Sequence, residues 1–412
     1  MPNALSAYFK GAGFKRLSAV EVASDASNQH EFNGIAEFRD LFGGERKKFS
    51  AKFIALSDDE DKLKEEDGTL TWYDARESHP SRTEFRLYYS SNEIISGAKA
   101  DDLVVVGIID SDHLAVITAP QGSTSEKQLL WLFGQEEAGS RFVVRDFASD
   151  KTDIGFAGRY ILSALGFALE ETAPDYLEDM LQRFGKRFPP TREFSAYARS
   201  TVRDVSPVDN PDETLMTWLE REELLFKTLE KLLVAERLQT GFGESGNDVD
   251  VFIEFSLSIH NRRKSRAGYS FENQLRAIFS ANSIRYSYVA VTERTNRPDF
   301  VFPGIEEYHN AAFDPHLLTM LGLKTTAKER WKQILTEAAK IPQKHFITLE
   351  PAISLNQTEE MKARNVQLII PQPLQATFLA DQQKELLNVK GFIDLLNERQ
   401  ADAGVSGALL LF

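Results

Sequence analysis

A chain of 412 residues with 42% hydrophobic and 27% charged residues has the length for two or three well-cored domains and the balance of a soluble globular protein. It has no apolar run of membrane-spanning length and no basic-then-apolar leader. It also has no cysteine for disulfides or thiolate metal sites, so a cytoplasmic, non-membrane protein of prokaryotic type is expected. The net charge of −14 argues at first against nucleic acid, yet residues 260–344 carry 14 Lys and Arg against 8 Asp and Glu, while acid gathers in 57–67 and 170–179.

In chain order, residues 1–172 read as a mostly β unit. Short β-rich or alternating runs at 48–56, 83–89, 103–109 and 114–118 are separated by polar turns, and a helix over 160–168 closes the unit. Residues 173–186 read as a linker, and Pro189-Pro190 breaks the helical pattern at the start of a second domain, 187–412. A long amphipathic helix follows over 212–238, capped by the 209–212 turn, with Trp218 on its apolar stripe. Arg262, Arg263, Lys264 and Arg266 precede a stripe of Phe271, Leu275, Ile278 and Phe279. That order places the basic run at a helix start, where backbone N–H groups favour phosphate; the alternative is a solvated charge run.

The stretch 297–340 then supplies two short apolar strands, Phe300-Val301-Phe302 and Leu321-Gly322-Leu323, and an amphipathic helix over 328–337 whose stripe is Trp331, Ile334, Leu335 and Ala338. Buried strands at 345–349 and 366–370, a helix between them and a last helix over 392–399 complete a strand–helix–strand pattern that predicts an α/β sheet. Asp299, Lys324 and Glu337 thus fall on adjacent strands and the following helix. Two carboxylates suit Mg²⁺, a hard cation that keeps several waters. A lysine beside them can hold an attacking water and offset charge on a phosphorane, which is the equipment for phosphodiester hydrolysis. Taken by spacing alone the trio is common.

The longer words are more specific. Asn261-Arg262-Arg263-Lys264-Ser265-Arg266, Arg297-Pro298-Asp299-Phe300-Val301-Phe302-Pro303, Lys324-Thr325-Thr326-Ala327-Lys328-Glu329-Arg330-Trp331 and Gln333-Ile334-Leu335-Thr336-Glu337-Ala338-Ala339 resemble, in order, the C-terminal catalytic domain of the EcoRII family of type II restriction endonucleases over about 187–370. The resemblance implies a PD-(D/E)xK fold. The usual strand acid two residues before the lysine is here Gly322, and the family's second metal carboxylate, from the helix, corresponds to Glu337. More loosely, Lys15-Arg16-Leu17-Ser18-Ala19, 72–77 and 82–89 resemble the family's N-terminal effector-binding domain, a B3-like pseudobarrel.

The fold class expected is therefore α+β / α/β, an N-terminal B3-like β-pseudobarrel followed by a restriction-endonuclease-like α/β domain. The resemblance implies Mg²⁺, double-stranded DNA at target and effector sites, a homodimer, and a DNA cytosine methyltransferase as functional partner. Asp299, Lys324 and Glu337 would be catalytic, with Tyr308 a neighbour. Lys328, Glu329 and Arg330 would read a CC…GG-type site in the major groove. Asn28, Gln29, His30, Arg76 and Arg82 would form the effector arms, against a reading as loop polars with Arg86 paired to an acid. Trp218 and Arg221 stand nearest to a pocket for extruded bases, against a plain core stripe. Two other classes stay open: a DNA-binding regulator or modified-DNA reader with a silent nuclease domain, and a structure-selective repair nuclease.

Overall fold

The computed structural model describes residues 4–22, 30–32, 35–58, 63–79, 81–167 and 173–404. They fall into two units, one of Met1–Leu169 with Pro351–Thr358 and one of Glu170–Glu350 with Glu359–Phe412.

In the first unit, β-branched and aromatic residues recurring along short segments form strands, because such side chains pack well on a pleated surface. β1 (Gly11–Arg16), β2 (Glu31–Phe32), β3 (Lys47–Ala55), β4 (Lys64–Asp74), β5 (Phe85–Tyr89), β6 (Leu103–Ile108), β7 (His113–Ala119) and β8 (Val143–Asp146) make one sheet in the order β2-β5-β4-β3-β7-β6-β1-β8. The pairing of β3 with β7 is parallel and the others are antiparallel. β6 is buried along its whole length, as a strand covered on both faces must be. One face packs Phe49, Phe53, Trp72 and Val106, and the other packs Phe14, Val105 and Ile117 with Leu129 of α1 (Thr124–Leu132) and Ile161 of α2 (Gly155–Ala164). Phe32 on β2 reaches Phe142, next to β8, with ring centroids 6.1 Å apart. The sheet therefore curls until its two ends share a core.

The second unit begins with helices α3 (Leu177–Phe184), α4 (Thr191–Ser200), α5 (Pro211–Thr240) and α6 (Val249–Ala281). Residues 173–186 are thus not a bare linker. Met180 and Phe184 are buried against Phe194, Tyr197, Leu225 and Phe226, because the acidic residues of α3 occupy only its outer face. Strands β9 (Ser287–Tyr288), β10 (Phe300–Phe302), β11 (Thr319–Lys324), β12 (Lys344–Thr348) and β13 (Val366–Ile369) form a mixed sheet, antiparallel from β9 to β11 and parallel from β11 to β13. This is the α/β sheet expected, and it is mixed. Asp212 does not cap α5; its carboxylate accepts from the N–H groups of Gln372, Val389 and Lys390, the latter two opening α7 (Val389–Asp402). An acid at that helix N-terminus meets the positive end of its dipole.

Candidate active site

β10 and β11 run antiparallel with Phe300 opposite Leu321, so the start of one strand and the end of the other lie at the same edge of the sheet. Asp299 immediately precedes β10 and is half-buried. Its Oδ2 accepts from the Leu323 N–H at 2.7 Å. Lys324 is the last residue of β11 and is half-buried too.

The third member arrives differently from the sequence expectation. Lys328–Thr336 is a 3₁₀ helix, not an α-helix. A 3₁₀ helix repeats every three residues, so Trp331, Ile334 and Glu337 succeed one another on one side. The first two are buried, whereas Leu335, counted in the apolar stripe at α-helical spacing, is only partly so. The segment is anchored at its start by the buried Glu350 carboxylate, which accepts from the N–H groups of Ala327 at 2.5 Å and Lys328 at 3.1 Å. Gly322 makes room for it on the strand side. A Cβ there would stand inside van der Waals contact of Ile334 Cγ2. No acid can occupy this strand position while Ile334 fills it, and the same packing carries Glu337 to the site.

Asp299, Lys324 and Glu337 lie close enough for each to feel the others' charge. Burial, and after it the charge of Asp299, push the Glu337 carboxyl up to about 7, against the opposing pull of Lys324 and Lys344. Burial likewise raises Asp299, with Lys324 opposing. Glu272 on α6 joins this field: burial raises its carboxyl, Asp299 adds to the rise, and Lys324 and a hydrogen bond from the Tyr288 hydroxyl oppose it. Sequence reasoning passed over Glu272. Its one signal is position, directly beside Phe271 at the margin of the apolar stripe of α6.

Could this set hold a cation? Among the described residues no three His, Asp or Glu side chains converge closely enough to enclose one. Two half-buried carboxylates, both raised by burial, nevertheless fit a hard divalent ion that completes its shell with water and phosphate oxygen. Asp299 and Glu337 are the residues that would hold it.

Tyr308 stands beside the turn after Glu337, its hydroxyl accepting from the Lys340 N–H at 3.3 Å, and the other expected residues fall elsewhere. Tyr308 is buried, and its hydroxyl donates to Glu293 at 2.5 Å. Lys328 and Arg330 open the 3₁₀ helix, both half-buried, Lys328 with φ of +27°; the Glu329 side chain lies outside what the structure describes. The basic run is not at a helix start but in the middle of the 33-residue α6, so no exposed N–H groups accompany it. The apolar periodicity continues upstream of it, through Val251 and Phe255, and the helix with it. Arg262 lies over the Phe188 ring at 4.2 Å, Arg263 pairs with Glu230 at 2.5 Å, and Arg266 is buried over Phe226 with Glu222 and Glu223; Lys264 is exposed.

Trp218 is buried beneath the Arg199 guanidinium, and Arg221 lies over Tyr176 at 5.1 Å. In the first unit, Asn28 and Gln29 lie outside the described residues. His30 packs edge-on to Tyr88 and Tyr89, Arg76 pairs with Glu84 at 2.5 Å, and Arg82 is exposed. Arg86 bonds Glu31 and Glu84, each at 2.8 Å.

Glu337 thus follows directly on the 3₁₀ helix, and the segment that carries it has known relatives. Residues 226–393 match the model of the EcoRII C-terminal family. Glu272, Asp299, Lys324 and Glu337 all lie inside that match. The chain is 37% identical over 238 residues to the type II restriction enzyme EcoRII of Escherichia coli, a stretch covering 58% of this chain and 57% of that enzyme. It thus spans little more than half the length of EcoRII. Among solved structures, metal-depleted Ecl18kI in complex with uncleaved, modified DNA is similar at 18% identity and a TM-score of 0.45, over 56% of this chain and 86% of that one. The complex of restriction endonuclease PspGI with substrate DNA is similar at 17% identity and a TM-score of 0.43, over 53% and 95%.

Proposed function

We propose that this protein is a Mg²⁺-dependent type II restriction endonuclease that cuts double-stranded DNA at a CC…GG-type site. The observation that carries the reading is that Asp299, bonded to the Leu323 N–H, stands beside Lys324 at one sheet edge inside the EcoRII-like segment, with Glu337 near enough for the Asp299 charge to add to the rise that burial gives its carboxyl. A divalent ion on these carboxylates would polarise the phosphoryl oxygen and lower the pKa of a bound water. The chain's own residues do the remainder. Lys324 orients the attacking water and offsets negative charge as the new P–O bond forms and the ester P–O bond breaks. Asp299, fixed by the Leu323 N–H, holds the strand side of the site, and Glu337 the opposite side. Lys328, Glu329 and Arg330, joined to Lys324 through Thr325–Ala327, would read guanine and cytosine edges.

In this reading the curled first unit is a B3-like domain that binds a second DNA copy, with Arg76, Arg82 and His30 at its binding face. The protein acts as a homodimer, because a symmetric site is cut by twofold-related subunits, and a cytosine methyltransferase protects the host site.

The test is digestion of a defined plasmid with purified protein and Mg²⁺, beside Asp299→Ala and Glu337→Ala. Discrete ends at a CC…GG site, lost in both variants with binding kept, are expected. Cleavage surviving Asp299→Ala would sink the assignment. Binding without cleavage by the wild type would favour a modified-DNA reader, and preference for branched DNA a repair nuclease.

A further inference from the structure

We infer that Lys344, at the start of β12, is the positioning residue that fixes Glu337 for catalysis, by gathering three carbonyls of the turn that carries it. The inference rests on the nuclease reading above. The Lys344 side chain is almost wholly buried, and its Nζ donates to Glu337 O at 2.6 Å, Ala338 O at 2.7 Å and Ile341 O at 2.7 Å. An ammonium has three N–H donors, and here each meets one carbonyl. These carbonyls lie at and just past the end of the 3₁₀ helix, where a cation suits the helix dipole; Ala338 O also accepts from the Ile341 N–H at 3.0 Å.

The turn needs such a clamp. Ala338, next to Glu337, has φ of +47°, a left-handed conformation that a residue with a Cβ holds only when its surroundings impose it. The remaining polar groups of the turn are bound from the other side. Asn296 donates to Thr336 O at 2.7 Å, Glu293 accepts from Ala339 N–H at 3.2 Å, and the Tyr308 hydroxyl accepts from Lys340 N–H at 3.3 Å. Lys340 Nζ in turn donates to Tyr308 O at 2.6 Å. The Glu337 N–H donates to Ile334 O at 3.1 Å within the helix, and the side-chain contact that holds the Glu337 carbonyl is Lys344. A displacement of the turn would move the Glu337 carboxylate out of register with Asp299, whose own place is set by β10 and β11. Lys344 touches no reacting atom in this arrangement; it acts through Glu337.

The test compares wild type, Lys344→Met and Lys344→Arg. It follows plasmid cleavage with kcat and KM for DNA separated, Mn²⁺ binding to the DNA-free protein by electron paramagnetic resonance, and thermal melting. Outer residues that hold metal-binding groups typically change affinity or activity about 10–100-fold. Lys344→Met, similar in length but without donors, should lower kcat and Mn²⁺ affinity by factors of that order while leaving KM for DNA within about twofold. Lys344→Arg should recover part of both losses, because a planar guanidinium keeps the charge but cannot aim three donors from one nitrogen. Lys344→Met with wild-type kcat and Mn²⁺ affinity would overturn the inference, even if its melting temperature fell. Should Lys344→Met not fold, Lys344→Arg decides alone: reduced kcat at unchanged KM supports the role, and wild-type values remove it. A wild type that neither cuts nor binds Mn²⁺ would overturn the nuclease reading and this inference with it.

Discussion

Gly322 and Ile334 occupy one space: the side chain of Ile334 lies where a Cβ of residue 322 would have to be. The strand position two residues before Lys324 is thereby closed to an acid, and the acid is delivered one 3₁₀ turn after Ile334, as Glu337. Gly322→Ala should therefore push the 3₁₀ segment away, costing about 1–3 kcal/mol by overpacking, and should lower cleavage at least tenfold. Gly322→Asp should be no better. Pairing Gly322→Ala with Ile334→Ala should recover part of the stability, a coupling that a double-mutant cycle by thermal melting measures. Additive effects would show that the two residues do not share the space.

Glu337 links stability to pH. Its folded carboxyl is raised from 4.5 to about 7 by burial and Asp299. A raised folded value gives stability that is fully present below the unfolded pKa and lost as pH rises through the folded one. In chelator, the wild type should thus lose stability relative to Glu337→Gln between about pH 4.5 and 7, by on the order of 2–3 kcal/mol at most. Mg²⁺ should reduce that loss, since a cation binds the charged carboxylates. Melting curves over this range, with and without Mg²⁺, check it; parallel curves for wild type and variant would refute it.

Glu272 shares the field of Asp299 and Lys324 from α6. Glu272→Gln should reduce cleavage by about tenfold or more, less than Asp299→Ala, with DNA binding retained, in the range expected when a group beside the charged centre is neutralised. Cleavage rates under single-turnover conditions decide this, and an unchanged rate would confine Glu272 to a structural contact with Tyr288.

Arg266 separates a phosphate contact from a buried ion pair. It is almost fully enclosed with Glu222 and Glu223, and burial lowers its guanidinium to about 10. Glu222 is itself buried, accepting from Ser195 at 3.0 Å and Gln274 at 2.7 Å. Removing the arginine strands that carboxylate, so Arg266→Ala should cost about 3–5 kcal/mol. The slope of log affinity against log salt should not change, because no phosphate contact is lost. A shallower slope with unchanged stability would restore the phosphate role.

The positions of Asp299 and Lys324 at one edge of a sheet were legible in the sequence. Asp299 and Lys324 stand at the ends of short apolar strands, and the four strands after 297 and the helices at 355–363 and 389–402 follow from local pattern, whereas the short helices at 305–309, 372–375 and 380–383 do not. The strands 48–56, 83–89, 103–109 and 114–118 were likewise visible. β4 was not, because its Lys-Glu-Glu-Asp opening has the composition of a loop, and it is a strand through its pairing with β3.

What the sequence determined by itself was local: many of the strand and helix segments, and where basic and acidic charge concentrates. The tertiary structure alone decided the rest. An α-helix and a 3₁₀ helix over 328–336 have the same composition, and only the anchor at Glu350 and the space above Gly322 select between them. The basic run seemed to begin a helix because its charges interrupt an apolar pattern, yet Arg263 and Arg266 are neutralised by acids on α5 that are distant in sequence. Glu272 and Lys344 carry no motif. Their burial and the backbone or charged groups they face are set by packing between segments far apart in the chain.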